Sequence, residues 1–474
     1  MNIQIKHKTQ ILIFNIFILI SLSSCRKKET EIVISKPVEQ ILPVVVSSKN
    51  TTVTSTRLDN KITYIECKNY PNDSTFGFNE SSNGTVYYND NLLISPGTNH
   101  YMYPIHLIKK DSLWILESIH NDSIIDRPRN IYKVDDKTYV WANAGTESQY
   151  NPTGNLYLSK NNLDNSINWK RISNPNQGEF YHYAASGDID GDGDNDILTF
   201  VGVETESPEQ FKLITAPSFN PESIIFPTAK EFEYALGFTN SDRNYVGAGF
   251  SFGSITVANI DKSTPESELI LTSTKVKMNE YYSFIVMKYD ATSHKFIISK
   301  IAKAGGELLN SKMAVSDVKF GDFNNDNNID IVVAMGDYKN NSGIQVWNND
   351  GKGNLTPDNN KKELFGKIYG NEIYFNGFEV GKYRGNDCIF LHYESSRYDP
   401  RPQSENGVDL NPFFLINKGD KGSFVHESII PFQTLGPAFV KGYFEKQNGI
   451  DVLRLIGFRN KVKQDFYLTD ITIK

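Results

Sequence analysis

The sequence predicts an all-β fold built on a recurring module of about 60 residues, a period in the range of propeller blades. Three observations carry this. Apolar β-branched and aromatic runs of roughly 4–8 residues alternate with Gly, Asn, Asp, Ser and Pro clusters from about residue 57 onward, the signature of short strands and turns. No long stretch has the apolar period of an amphipathic helix. An acidic loop followed by an apolar run also recurs along the chain. Gly187-Asp188 opens a loop that ends at Asp196 and leads into Ile197–Val201; Gly321-Asp322 opens one that ends at Asp330 and leads into Ile331–Met335. A third copy, Gly442 to Asp451 before Val452–Ile456, keeps the length and the last Asp but lacks the first carboxylate. Fainter copies run from Asn259 to Ser263 before Leu269–Leu271, from Gly381 to Asp387 before Ile389–Leu391, and from Lys133 to Asp136 before Tyr139–Trp141.

Loop starts at 188, 259, 322, 382 and 443 lie roughly 60–70 residues apart, room for about four short strands each. Residues 53–474 are therefore expected to form a single β-propeller of seven blades, each of about four antiparallel strands, although the length also fits six or eight. The chain end supports closure. After the last loop there is sequence for only two strands, Val452–Phe458 and Asp465–Ile473, so a complete last blade would borrow an N-terminal strand, Ile62–Cys67. Sharing a blade between the two ends leaves fewer exposed strand edges.

The chemistry is concentrated in the two best loops. Five carboxylates within 188–196 repel one another when packed into one turn, and a hard cation at the centre makes that turn favourable. Oxygens at loop positions 1, 3, 5 and 9, with a backbone carbonyl at 7, can converge on one ion. In the first loop these come from Asp188, Asp190, Asp192 and Asp196 and the carbonyl of Asp194; in the second from Asp322, Asn324, Asp326 and Asp330 and the carbonyl of Asn328. Position 6 needs φ > 0, which suits Gly193 and is tolerated by Asn327. Oxygen-only ligands select Ca²⁺ over zinc or copper, so two Ca²⁺ sites are expected. An EF-hand is excluded: it requires Glu at position 12, where these loops carry Thr199 and Val333, and it requires flanking helices. The alternative for both loops is a solvated Asn/Asp turn with no metal.

The loops, with Phe320-Gly321-Asp322-Phe323-Asn324, Ile331-Val332-Val333 and the downstream Ile344–Trp347 and Asp350-Gly-Lys-Gly353, resemble the FG-GAP or VCBS repeats of integrin-like propellers. The resemblance implies a propeller whose calcium is structural and whose exposed face binds other macromolecules or glycans. The lost carboxylates at 259, 382 and 443 put metal binding there in doubt.

The N-terminus is expected to be a targeting segment. Lys6–Lys8 precede the apolar run Ile11–Ile20, and Ser21-Leu-Ser-Ser24 leads to Cys25, which resembles the lipobox of bacterial lipoproteins. The resemblance implies a signal peptide over 1–24, lipidation of Cys25, and an outer membrane lipoprotein facing the periplasm or the cell surface, held to the membrane by its acyl chains. Residues 25–52, with Pro37, Pro43 and a Ser/Thr-rich stretch, are expected to form a flexible tether, although Val44–Val46 could be a strand. Cys67 and Cys388 either pair or remain buried thiols.

Catalytic signals are weak. Gly249-Phe-Ser251-Phe-Gly253 matches the nucleophile-elbow string, but Ser254-Ile-Thr-Val257 after it is strand-like rather than helical. No two histidines have a metal-binding spacing, and His182 suits a packed strand position. The aromatic pairs Tyr281-Tyr282 and Tyr374-Phe375, and Tyr101–Tyr103, suit either packing or sugar stacking. A net charge of −7 with no basic stripe argues against a nucleic-acid partner. The expected function is non-catalytic binding of a protein or glycan. The alternatives are a polysaccharide lyase or glycosidase on the same scaffold, and a structural subunit of an envelope complex.

Overall fold

The computed structural model describes the strands between Val44 and Thr472 and a set of connecting loops, among them 134–137, 188–195, 259–267, 291–294, 322–329 and 350–354. The chain divides into two compact units, Met1–Leu42 and Pro43–Lys474, and every described residue belongs to the second. The expected signal peptide, Cys25 and the first part of the expected tether lie outside the described residues.

The second unit is all-β among its named elements. Strands β1 (Val44–Ser48), β2 (Thr51–Arg57) and β3 (Thr63–Lys68) come first. Sheet one follows with β4 (Thr85–Tyr88), β5 (Asn91–Ile94), β6 (Ile105–Lys110) and β7 (Leu113–Ile119). Sheet two holds β8 (Pro128–Lys133), β9 (Thr138–Asn143), β10 (Asn155–Asn161) and β11 (Ile167–Arg171). Sheet three holds β12 (Tyr181–Gly187), β13 (Asp196–Val201), β14 (Phe211–Thr215) and β15 (Asn220–Glu222). Sheet four holds β16 (Phe252–Ala258), β17 (Glu268–Ser273), β18 (Phe284–Asp290) and β19 (Lys295–Ala302). Sheet five holds β20 (Ala314–Gly321), β21 (Asp330–Gly336), β22 (Ser342–Asn349) and β23 (Leu355–Phe365). Sheet six holds β24 (Ile373–Tyr383), β25 (Asn386–Ser395), β26 (Phe413–Ile416) and β27 (Val425–Ser428). The chain ends with β28 (Phe439–Gln447), β29 (Ile450–Phe458) and β30 (Phe466–Thr472).

Sheets one to six are four-stranded antiparallel meanders, and the terminal sheet runs β1-β2-β3-β30-β29-β28. It is joined where β3 pairs with β30, Tyr64 opposite Tyr467, so both ends of the unit share one sheet. The first strands β8, β12, β16, β20, β24 and β28 lie side by side in series, the arrangement of propeller blades. Within the segment expected as a tether, Val44–Ser48 is strand β1, the alternative the sequence left open at Val44–Val46. β1 and β2 form a hairpin, Val46 opposite Val53, because Val44-Val-Val46 and Thr51-Thr-Val-Thr are β-branched runs that favour a pleated strand over a coil.

The apolar runs after the loops are explained by burial on both faces. In β13, Ile197 packs with Val140 and Leu156 of sheet two, while Leu198 packs with Leu269 and Leu271 of sheet four. In β17, Ile270 turns the other way, toward Ile331 and Val333 of sheet five. In β21, Val332 and Ala334 face Ile389 and Leu391 of sheet six. In β25, Cys388 and Phe390 face Leu453 and Leu455 of the terminal sheet. Period-two alternation thus divides each second strand between two neighbouring sheets, which is why the runs read as continuous rather than alternating. Each fully buried Leu or Ile contributes about 1.5–3 kcal/mol.

Cys388 is a buried free thiol, which resolves the disulfide question for that residue. Burial pushes its pKa up, as for any thiol enclosed by apolar side chains. Beyond the strands, Thr228 and Glu231 make the reciprocal hydrogen bonds of a capping box. The Glu231 amide donates to Thr228 Oγ1 at 3.3 Å, and the Thr228 amide to Glu231 Oε2 at 2.7 Å.

In several sheets the glycine near the end of the first strand is set by close approach. A Cβ on Gly321 would lie 2.9 Å from Val380 Cγ1 of the next sheet, and one on Gly381 would meet the ring of Phe444. Gly381→Ala is expected to lower stability by about 1–3 kcal/mol, since the half-enclosed ring of Phe444, which packs beside Phe414, must shift. A thermal melt of the variant checks this; an unchanged midpoint would mean that the first strands are not wedged together at this point.

Candidate metal centre

The two acidic loops connect the first and second strands of sheets three and five, 188–195 between β12 and β13 and 322–329 between β20 and β21. They are flanked by strands, in line with the exclusion of an EF-hand. Each is built on three repeated devices.

The first is an apolar anchor. Ile189 and Phe323, at loop position 2, are 1% and 0% exposed, so the chain is pinned inward between the outward oxygens at positions 1 and 3. The second is an aspartate clasp at position 9. Asp196 and Asp330 are fully buried at the start of the next strand. Asp196 accepts from the amides of Ile189 at 3.1 Å and Ala216 at 2.9 Å. Asp330 accepts in the same way from Phe323 at 2.8 Å and Asn349 at 2.9 Å. One carboxylate thereby ties the loop to the third strand of its sheet.

The third device is a ladder of turns in which each side-chain oxygen accepts a nearby amide further along. Asp188 takes the amides of Gly191 at 2.8 Å and Gly193 at 3.1 Å, Asp190 takes Asp192 at 3.2 Å, and Asp192 takes Asp194 at 2.9 Å. In the second loop Asp322 takes Asp326 and Asn327, Asn324 takes Asp326, and Asp326 takes Asn328 at 2.7 Å. This ladder explains why Asp and Asn alternate with other residues: only a short side chain ending in oxygen reaches an amide two residues on. The coil needs positive φ at position 6, +93° at Gly193 and +65° at Asn327, as expected. It also needs it at position 4, +83° at Gly191 and +59° at Asn325, which the loop spacing alone did not reveal.

In the first loop the structure brings together Asp188, Asp190 and Asp196, with one carboxylate oxygen of each inside a common 4.8 Å. Asp192 and Asp194 lie on the exposed rim of the same turn. Burial, reinforced by the charge of Asp190, raises the Asp196 pKa to about 6 against its backbone hydrogen bonds. Burial likewise raises that of Asp330 to about 6, with Asp326 and Asp322 adding to it. Three oxygens that close, with one carboxylate held partly out of water, form the donor set that a hard divalent cation satisfies. The second loop has fewer carboxylates, and the ammonium of Lys262 donates to the Asn327 carbonyl at its rim.

The degenerate copies diverge. At 381–387 the chain makes a tight hairpin, Tyr383 opposite Asn386, with positive φ at Arg384 and Gly385. At 442–451 strand β28 runs on to Gln447 and β29 starts at Ile450, again a two-residue turn. Arg-Gly and Asn-Gly are residues that two-residue hairpin turns accept, and they replace the coil. Sheet four keeps a full loop. Here Glu268, 1% exposed, performs the clasp: it accepts the amides of Ile260 at 2.9 Å and Asp261 at 3.2 Å.

Sequence reasoning missed Glu268. The available signal was its place immediately before Leu269-Ile-Leu271, where Asp196 stands before Ile197. It also missed the asparagines that tie neighbouring sheets. Asn349 Nδ2 donates to the carbonyl of Ile260 at 2.9 Å, and Asn417 Nδ2 to that of Phe323 at 2.7 Å, so the loop of one sheet is bolted to the third strand of the next. For the nucleophile-elbow string, Phe252–Ala258 is a strand, so the helix that motif requires is missing; Ser251 itself, the pair at 281–282 and the side chains of His182, Tyr374 and Phe375 lie outside what is described.

No protein-family model matches the chain, and no curated protein matches it. Among solved structures it is similar to a propeller titled Dos1, with 8% identity over 69% of this chain and 66% of that one and a TM-score of 0.38. It is similar to a protein from Lactobacillus plantarum, at 11% identity over 81% of this chain and 94% of that one, TM-score 0.43. It is also similar to a triple arginine-to-alanine mutant of AofleA from Arthrobotrys oligospora, at 8% identity over 72% and 85%, TM-score 0.38. The chain spans about two thirds of the length of the first of these.

Proposed function

We propose that this chain is a calcium-binding β-propeller of seven blades, held at the outer membrane by lipid on Cys25 and facing the periplasm or the cell surface, that binds a protein or glycan without chemistry of its own. The observation that carries the calcium reading is the convergence of Asp188, Asp190 and Asp196 within 4.8 Å inside a clasped loop. A second loop of the same construction at 322–330 supports a second ion. Support for seven blades is the series of six meanders and one terminal sheet joined through β3 and β30. In the first site Asp188, Asp190, Asp192, Asp196 and the Asp194 carbonyl would hold the ion; in the second Asp322, Asn324, Asp326, Asp330 and the Asn328 carbonyl. The ion would offset part of the loop's negative charge and hold its oxygens in one coil, a structural role with no step of catalysis.

The test is a titration of the purified protein with Ca²⁺ by calorimetry, paired with melting in chelator. Binding of two ions and a midpoint that rises with free Ca²⁺ are the expected results, because a ligand that binds only the folded state stabilises it by mass action. A melting curve that is the same in chelator and in millimolar calcium would remove the metal from the proposal. Cys25→Ala, followed through membrane fractionation, tests the anchor: the variant is expected in the soluble fraction.

A further inference from the structure

Sheet four carries a loop of the same kind with a different occupant. Loop 259–267 starts after β16 and ends at the Glu268 clasp, as 188–195 ends at Asp196. Its buried acidic groups are Asp261 and Glu268; the third, Glu266, is half-buried and lies over Gly191 of loop 188–195. Between Asp261 and Glu268 stands an ammonium. Lys288 Nζ lies 2.9 Å from Asp261 Oδ2, 3.3 Å from Glu268 Oε1 and 3.4 Å from Thr264 Oγ1. A positive centre surrounded by two carboxylates and a hydroxyl reproduces, from within the chain, the oxygen cage that the other loops offer to an external ion.

The position of Lys288 is dictated by register. It follows Met287, the partner of Leu269, and so stands across from Glu268. The corresponding residue in sheet three is Thr215, which follows Ile214, the partner of Ile197; in sheet five it is Asn348, which follows Trp347, the partner of Ile331. The cross-strand site is therefore neutral in the two sheets whose loops carry Asp at positions 1 and 5, and cationic in sheet four, whose loop has Asn259 and Ser263 there. Asp261 is held ionised, its pKa lowered to about 2 by the Ser263 hydroxyl and by Lys288, so the pair stays charged at neutral pH.

We infer that Lys288 is a resident cation that occupies the metal position of loop 259–268, making sheet four independent of calcium while sheets three and five depend on it. This rests on the calcium reading for the other two loops, but half of its test does not. The reporters are the buried amides of Ile260 and Asp261, which Glu268 accepts, followed by hydrogen exchange on the whole protein.

In the wild type, chelator is expected to speed exchange in 188–196 and 322–330 and to leave 259–268 unchanged. In Lys288→Thr, exchange at Ile260 and Asp261 in chelator is expected to rise about tenfold or more, because two buried carboxylates lose their counter-charge. Added Ca²⁺ is expected to restore protection there, as a third ion enters the vacated cage and the calorimetric stoichiometry rises by one. Lys288→Arg keeps the charge and should behave as wild type, which separates loss of the cation from general misfolding.

Unchanged protection of 259–268 in Lys288→Thr under chelator would overturn the inference, whatever the other loops do. Calcium-sensitive exchange of 259–268 in the wild type would overturn it as well. Insensitivity of 188–196 and 322–330 together with loss of protection in Lys288→Thr would sink the calcium proposal and leave the role of Lys288 standing.

Discussion

Asp330→Ala is expected to destabilise the protein in two separable ways. The carboxylate holds the amides of Phe323 and Asn349, both buried, and removing it orphans two donors. Each buried donor left without an acceptor costs about 1–3 kcal/mol, so the clasp alone accounts for about 3 kcal/mol, a large part of the total stability of an ordinary domain. This loss should appear as a melting point lowered by several degrees even in chelator. The second loss is the calcium-dependent increment of the second loop, which should vanish from the titration. Asp330→Asn divides the two: it keeps one acceptor for one amide, so much of the chelator-insensitive stability survives while the calcium increment is still reduced. A melting point for Asp330→Ala that matches wild type in chelator would mean that the clasp is not structural, and the parallel drawn with Asp196 would fail with it.

Arg454→Ala is expected to have an effect at least as large, in a part of the molecule that contains no acidic loop. Arg454 is 0% exposed on β29. Its guanidinium pairs with Asp470 at 2.9 Å, lies 3.5 Å from Glu445, and stacks over the Trp114 ring of sheet one at 4.4 Å. Lys109 reaches Asp470 at 2.6 Å from the same side. Taking away the arginine leaves Glu445 with no close positive partner among these and Asp470 with only the lysine. Breaking a buried pair in this way costs about 3–5 kcal/mol, whereas Arg454→Met, which fills the space, should cost less. The cluster joins sheet one to the terminal sheet, so the loss should be read out as exchange in β6, β7, β29 and β30 before the rest of the unit.

The same cluster fixes a pH dependence. Burial raises the Glu445 pKa to about 7 despite Arg454, while burial of Asp470 is outweighed by Arg454 and Lys109 and its pKa is lowered. A carboxyl whose folded pKa is raised contributes stability that is complete below its unfolded value of about 4.3 and is lost as pH rises through about 7. Asp470 contributes in the opposite sense, with stability present at neutral pH and lost in acid. Glu445→Gln should therefore flatten the decline in melting temperature between about pH 5 and 8 without altering the acid limb.

The parts of this architecture that could be foreseen are those written in local chemistry. The loops at 188–196 and 322–330 announce themselves because an amide ladder admits only short oxygen-bearing side chains, and the doubly buried runs after them announce themselves by their unbroken apolar character. The borrowed strand near residue 63 came from counting the strands that the C-terminal segment could supply. What escaped is governed by cross-strand register. Nothing in the sequence near Asn259 points to Lys288, which lies a strand further on, and nothing near Phe323 points to Asn417, 94 residues away. The copies at 382 and 443 look like loops only while strand ends are unknown; once Tyr383 is found paired with Asn386 and Gln447 with Ile450, no room is left for a coil.

The pairing of Thr63–Leu468 through Ile65–Phe466 has a consequence for how the molecule is made. Synthesis runs from the N-terminus, and β1 to β3 emerge some 400 residues before the partner that completes their sheet. Sheets one to six can each form from contiguous chain as they leave the ribosome, whereas the terminal sheet waits for the last strand. A truncation that removes only β30 should therefore leave the N-terminal hairpin without its anchor and expose a bare β29 edge, turning a nearly complete polypeptide into an aggregation-prone one.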